Sequence, residues 1–143
     1  MRAVDANVLI YAFFSDSPFH EQSAAAVRSL AEGRAPWAIP WPCIHEFYAV
    51  VTNPKLFSDP SLPPRARAQI TGWLASPSLQ LLAETTDHWA TLKNLLTADD
   101  ASGPIVHDAK IAAICLSHRV TELLTLDHDF RRFPALKVRS VLD

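Results

Sequence analysis

An α/β fold, a parallel sheet with helices on its faces, is what the 143-residue sequence predicts. Three observations carry that prediction. Short apolar runs of strand length recur between segments with helical periodicity. The length fits one domain, residues 1–143, and a chain of about this size buries roughly 68–70% of its unfolded surface without disulfides or metals as staples. The composition, 49% hydrophobic and 20% charged, excludes disordered, collagen-like and coiled-coil classes.

Arg2–Val4 is the first strand, closed by Asp5. Asn7–Phe14 and Phe19–Glu32 have helical patterning, and Gly33 ends the second. Trp37–Pro40 is the next strand. Pro42–Val51 is a helix with proline in its first turn, where the missing N–H would have no helical partner anyway. Asn53–Pro64, rich in Pro, Ser and Asp, is a loop. Pro64–Ala75 is a helix and Leu79–Ala83 a strand. Asp87–Thr97 is a helix capped by Thr86 or Asp87. Gly103 and Pro104 break the chain before the helix Ile105–Arg119. Glu122–Thr125 is a strand, Asp127–Arg132 a helical turn and Val138–Ser140 the last strand. In parallel sheets of this kind the working site lies beyond the carboxyl ends of the strands.

Only three glycines occur, so the phosphate-cradling patterns GxGxxG and GxxxxGK[ST] are absent. Cys43 and Cys115 stand 72 residues apart with no CxxC, the pattern of two reduced, buried thiols rather than of a zinc or redox site. The apolar stretch Ala6–Phe14 is too short to span a bilayer and has no A-x-A-like cleavage site after it, so a soluble, cytoplasmic protein is expected. Thirteen Lys and Arg against fifteen Asp and Glu give a net charge of −2, on its face a poor balance for a nucleic-acid binder.

Four acids sit where surface acids do not. Asp5 follows the first strand and precedes a helix whose face carries Val8, Leu9 and Ala12. Glu46 shares a helical face with Pro42, Cys43, Ala49 and Val50; Asp108 shares one with Ile105, Ile111, Ala112 and Cys115. Asp127 ends the apolar run Leu123–Leu126. Each therefore projects from an otherwise buried surface next to a strand end. Asp5 and Asp127 also read as helix N-caps, and Glu46 and Asp108 as half-exposed helix residues. Lys110 shares the Asp108 helix but points elsewhere. Four buried, unpaired carboxylates cost several kcal/mol each, and a shared divalent cation offsets that cost. All-oxygen donors suit Mg2+ or Mn2+, and such a pocket at the end of a parallel sheet points to phosphoryl chemistry.

The segments VDANVLIYA (4–12), HEFYAVVTNP (45–54), HDAKIAA (107–113) and TLDHDF (125–130) together resemble the PIN domain. More narrowly they are similar to the VapC toxins of bacterial VapBC toxin–antitoxin modules, and VVTNPKLFSDPSLPP resembles the subgroup abundant in mycobacteria. The four acids recur in order at separations of 41, 62 and 19 residues. The resemblance implies an α/β/α sandwich around a parallel sheet of four to five strands and a Mg2+- or Mn2+-dependent endoribonuclease acting on structured RNA such as tRNA or rRNA. It implies Asp5, Glu46, Asp108 and Asp127 as the acidic quartet. Asp5 and Asp108 hold the principal metal, and Glu46 and Asp127 complete the pocket directly or through water. Asn7, Thr125 and Asp129 take supporting roles, while His45 and His107 carry no assigned one. Hydrolysis by cation-activated water, without a covalent enzyme intermediate, leaves a 5′-phosphate and a 3′-hydroxyl. The expected partners are RNA, a VapB-type antitoxin and a second toxin copy, with no membrane.

Lys55, Arg65, Arg67, Arg131 and Arg132 are the candidate RNA-backbone contacts. Setting the quartet aside leaves eleven acids against thirteen bases, so the global charge conceals a cation site. Two other readings fit the residues: a PIN nuclease that processes RNA without being a toxin, and a non-catalytic α/β binding module with a structural cation. A dehalogenase-type phosphatase would need an acid at Asn7, and a phospho-acceptor receiver would need paired early acids.

Overall fold

Strands form where the apolar runs stand, and the computed structural model describes them within the full span of residues 1–143. They are β1 (Arg2–Val4), β2 (Trp37–Pro40), β3 (Leu79–Leu82), β4 (Glu122–Leu124) and β5 (Val138–Arg139). All neighbours are parallel, in the order β3-β2-β1-β4-β5. Ala3 pairs with Ala38 on one side and Leu123 on the other, so β1 is central. β1 and β2 read as continuous apolar runs because helices cover both faces of the sheet.

The helices are α1 (Ala6–Phe13), α2 (His20–Glu32), α3 (Trp41–Val51), α4 (Pro63–Leu74), α5 (His88–Ala98) and α6 (Ile105–Ser117), followed by a 3₁₀ turn at His128–Arg132. Right-handed crossovers place α1–α4 on one face, because β1, β2 and β3 advance in one direction. The return from β3 to β4 crosses the sheet and puts α5 and α6 on the other face. The packing agrees: α1 lies against α2 and α3, α3 against α4, and α5 against α6. One core joins the layers, with Trp37, Phe47, Ile114, Leu123 and Phe130 fully enclosed. No helix is long and apolar enough to cross a membrane.

Most boundaries fall within a residue or two of the sequence expectation, and two helix ends differ for a visible local reason. α6 stops at Ser117 rather than Arg119, although no glycine marks the end. Arg119 itself takes the left-handed conformation (φ 56°). Val120 then donates its N–H to Cys115 O (3.0 Å) and Arg119 donates to Leu116 O (3.1 Å), a Schellman closure. α2 begins at His20 because Phe19 is also left-handed (φ 60°). Asp87 occupies the N-cap position of α5, but its side chain accepts no capping hydrogen bond. Both cysteines are free and buried, as the spacing implied.

Phe47 joins three helices. Its ring meets Phe13 of α1 edge-on at 5.3 Å between centroids and Trp73 of α4 at 4.8 Å. Phe47→Ala is expected to cost about 3–5 kcal/mol in urea unfolding, whereas Leu62→Ala, at a residue 73% exposed, changes stability by less than about 0.5 kcal/mol.

Candidate active site

The order of the strands reverses beside β1, and that is where the acids gather. Strands β2 and β3 continue on one side of β1, β4 and β5 on the other, so the connections leaving β1 and β4 part and open a crevice. Asp5 directly follows β1 and Thr125 directly follows β4. Glu46 rides on α3, which leaves β2 without a loop, and Asp108 lies in the first turn of α6.

Asp5 is held from three directions and is only 5% exposed. Its Oδ1 accepts the Ala6 N–H (2.8 Å) and the Cys43 thiol (3.6 Å), and its Oδ2 accepts the Thr125 hydroxyl (2.7 Å). Thr125 Oγ1 in turn accepts from Asn7 Nδ2 (3.2 Å) and from the Asp127 N–H (3.0 Å). Asn7 Oδ1 accepts the Leu126 N–H (3.2 Å). One hydroxyl thus ties the end of β1 to the turn after β4. Asp127 Oδ1 accepts the Asp129 N–H (2.9 Å) and starts the 3₁₀ turn. Asp5 and Asp127 are therefore helix caps and members of the acidic group at once.

Carboxylate oxygens of Asp108, Asp127 and Asp129 lie within 4.8 Å of one another. Burial, then repulsion from Asp127, Asp129 and Glu46, pushes the Asp108 carboxyl up to about 6, with nearby His107 opposing. Burial, with added repulsion from Glu46, pushes Asp5 up to about 6 against the hydrogen bonds that favour its charge. Glu46 is also raised, by desolvation and by Asp127, while His107 and Lys110 oppose the rise. Burial and the charge of Asp5 push both thiols up, Cys115 to about 12. No lysine or arginine forms an ion pair with any of the five acids. Mutually repelling, oxygen-only donors without a protein cation are a donor set that fits a hard divalent ion.

Several expectations change. Only Asp5 is buried; Asp108 and Asp127 are half-buried and Glu46 is exposed. On α3 the residues Trp41, His45, Glu46 and Ala49 form the outward face, and Cys43, Ile44, Phe47 and Val51 the buried one. Lys110 makes no ion pair with Asp108, yet its charge acts on Glu46. Asp129, expected only to support, stands in the tightest carboxylate group, whereas Asp5 lies outside it. The influence of His107 on Glu46 and Asp108 has a sequence signal, its place beside Asp108 in the first turn of α6, where a helix end opens onto the crevice.

The candidate RNA contacts are dispersed. Lys55 is exposed in the loop after α3. Arg65 stacks over Phe13 at 5.6 Å, and Arg67 donates to the Tyr48 hydroxyl (3.2 Å). Arg132 is ion-paired with Asp99. Arg131 is exposed, has no ion pair and lines a groove that reaches Asp127.

A sheet reversed at β1 with acids on the strand ends defines a class, and family comparison gives the same one: residues 2–136 match the PIN domain, and the chain belongs to that family. Among curated relatives, ribonuclease VapC43 of Mycobacterium tuberculosis is 34% identical over all 143 residues, covering 97% of that protein. Ribonuclease VapC37 of the same organism is 32% identical over 96% of this chain and 94% of its own length. Among solved structures, VapBC2 of Rickettsia felis bound to promoter DNA superposes with a TM-score of 0.72 at 17% identity over 97% of each chain. VapC20 of M. tuberculosis, a sarcin–ricin-loop-cleaving toxin, superposes at 0.67 with 14% identity over 92% of this chain and 93% of that one.

A carboxyl raised from 3.8 to about 6 binds its proton more tightly in the folded chain than in the unfolded one. It therefore lowers stability as pH climbs between those values, and the loss is complete above the folded value. In EDTA, Asp108→Asn is expected to stabilise the protein at about pH 7.5, and the gain should vanish near pH 4. Mn2+ should raise the unfolding midpoint of the parent more at about pH 7.5 than at about pH 5, because the cation competes with protons. Equal gains at both pH values in urea and thermal unfolding would mean that burial and mutual repulsion do not govern these carboxyls.

Proposed function

We propose that this chain is a divalent-metal-dependent endoribonuclease, the toxic component of a VapBC-type toxin–antitoxin module, acting on structured RNA such as tRNA or rRNA. The observation that carries the reading is the convergence of Asp108, Asp127 and Asp129 within 4.8 Å beside a buried Asp5 already anchored by Thr125. Full-length similarity to ribonucleases of the VapC group, at 34% identity, supports the same reading. Neighbours solved with antitoxin, some on DNA, support a VapB-type partner, and the expected second toxin copy belongs to the same reading. Exposed Leu56, Leu62 and Trp89 offer apolar surface to such chains.

Asp108, Asp127 and Asp129 are the residues we assign to hold the ion, with Asp5 and Glu46 adding charge from the neighbouring strand ends. Mg2+ or Mn2+, when bound, supplies a Lewis acid and an activated water at neutral pH. Asp5 is fixed before substrate arrives, since Thr125, Ala6 and Cys43 each donate to it. Asn7 fixes Thr125 and the Leu126 N–H, and so sets the position of the Asp127 turn. Glu46, on the outward face of α3 and with its carboxyl raised by desolvation, stands where a proton can be exchanged with solvent. No side chain of the group is a strong nucleophile, which favours hydrolysis in a single displacement that leaves a 5′-phosphate and a 3′-hydroxyl.

Asp5→Asn and Asp108→Asn should remove RNA cleavage while the far-ultraviolet circular dichroism stays that of the parent. Thr125→Val should lower the rate by about 10–100-fold, the usual range for a residue that orients a ligand. End-sequencing of cleaved total RNA should find 5′-phosphates, and EDTA should abolish them. Full activity of either Asn variant, or cleavage unaffected by EDTA, contradicts the assignment.

A further inference from the structure

A groove of 250 Å³ leads away from the carboxylates, and the proposed hydrolysis leaves it without a role. Thr125 and Asp127 form its inner end. α1 and the residue before α2 contribute Tyr11 and Phe19, β5 contributes Arg139, and the 3₁₀ turn contributes Arg131.

Phe19 is the unusual member. It is 43% exposed, takes no part in the core, and adopts φ 60°, a conformation that L-residues avoid. The surrounding turn is built to hold it. Ser17 Oγ lies 2.8 Å from Tyr11 O and 2.6 Å from Phe14 O, its single hydrogen shared between the two carbonyls, and His20 Nδ1 contacts Tyr11 O at 2.9 Å. The Tyr11 ring meets Phe19 edge-on at 6.1 Å and leaves the Phe19 ring at the surface. An aromatic face fixed in solvent beside a phosphodiester-cleaving site is what a nucleobase stacks on.

Through Arg139 the groove also borders a cluster of surplus positive charge. Glu122 is buried, and its carboxylate meets Arg2 (3.2 Å), Lys137 (3.3 Å) and Arg139 (3.4 Å) together. One negative charge serves three cations, so the cluster is net positive. Arg2 and Arg139 also line the adjoining 170 Å³ cavity, which extends the basic surface away from the site. Arg131 has no ion pair. Apart from Asp127, the only acid in the groove is Asp143, whose Oδ2 accepts the Ser140 N–H (3.1 Å).

We propose that this groove binds the single-stranded RNA segment next to the scissile phosphate, with one base stacked on Phe19 and the backbone on Arg131 and Arg139. The inference rests on the ribonuclease reading and deepens it by naming where the substrate runs. RNA is favoured over a partner polypeptide because ring and cations flank one path that ends at the carboxylates.

The test is binding of a labelled mixed-sequence oligoribonucleotide of about ten nucleotides in EDTA, where no cut occurs. Phe19→Leu should weaken binding at least about fivefold, and Phe19→Tyr should keep the parent affinity. Arg139→Gln should lower the slope of log affinity against log salt by about 0.7, while Lys93→Gln, on α5, should leave affinity unchanged. A 4-thiouridine oligonucleotide crosslinked to the unmodified protein should label the peptide carrying Tyr11 and Phe19, a readout that does not depend on any variant folding. Parent-like affinity in Phe19→Leu, crosslinks confined to α4 and the loop at Lys55, or a Phe19→Leu defect seen only in antitoxin binding would overturn the proposal. A parent that cleaves RNA while these variants bind normally refutes the groove alone. A parent that neither binds nor cleaves RNA refutes the ribonuclease reading and the groove with it.

Discussion

Five carboxylates converge on the carboxyl ends of the strands, and none has a lysine or arginine in ion-pair contact. Burial of these charges beside one another, with no counter-charge, is the constraint around which the crevice is arranged. Burial first, and repulsion from neighbouring acids after it, pushes Asp5 and Asp108 both up to about 6, so at neutral pH the metal-free fold carries charges it holds unwillingly. A group that destabilises the free protein yet is held in place by neighbours is the usual signature of a site preorganised for something else. The rest of the structure supplies the holding force. Trp37, Phe47 and Leu123 are fully enclosed in the single core that fixes the strands and helices carrying the acids.

Thr125 is the joint between scaffold and chemistry. Its hydroxyl donates to Asp5, after β1, and accepts from Asn7 and from the backbone of Asp127, after β4. Because β1 and β4 are neighbours in a parallel sheet, a single short side chain reaches all three. The same adjacency produces the break in strand order that opens the crevice. Geometry and topology are therefore one fact: the strand pair that creates the space also carries the residues that fill it.

Much of this was legible in the sequence. Each of the five apolar runs became a strand, and the Pro-rich starts at Pro42 and Pro64 marked helix beginnings to within a residue. The ordered acids pointed to the site because a carboxylate directly after a buried strand has few structural excuses. What stayed hidden depended on distant parts of the chain or on backbone strain. Glu46 is exposed because it stands with Trp41, His45 and Ala49 on the outward face of α3, while Cys43, Ile44, Phe47 and Val51 face the core. Arg132 is taken up by Asp99, thirty-three residues away. Glu122, which the sequence marks only as the start of a strand, gathers the three bases Arg2, Lys137 and Arg139. Arg119 and Phe19 adopt left-handed conformations without glycine, so neither advertised its helix boundary. The weight of Asp129 was hidden because a 3₁₀ turn places it beside Asp127 on the side of Asp108.

If repulsion among these acids exists to hold a cation, the ion must be found among them. Diffraction from crystals of the parent soaked in Mn2+ at neutral pH, collected at the manganese absorption edge, measures this directly. The expected result is an anomalous peak within coordinating distance of Asp108 and Asp127, lost in Asp108→Asn crystals treated identically. No peak at saturating Mn2+, or a peak elsewhere with the five carboxylates left unliganded, would contradict the central claim.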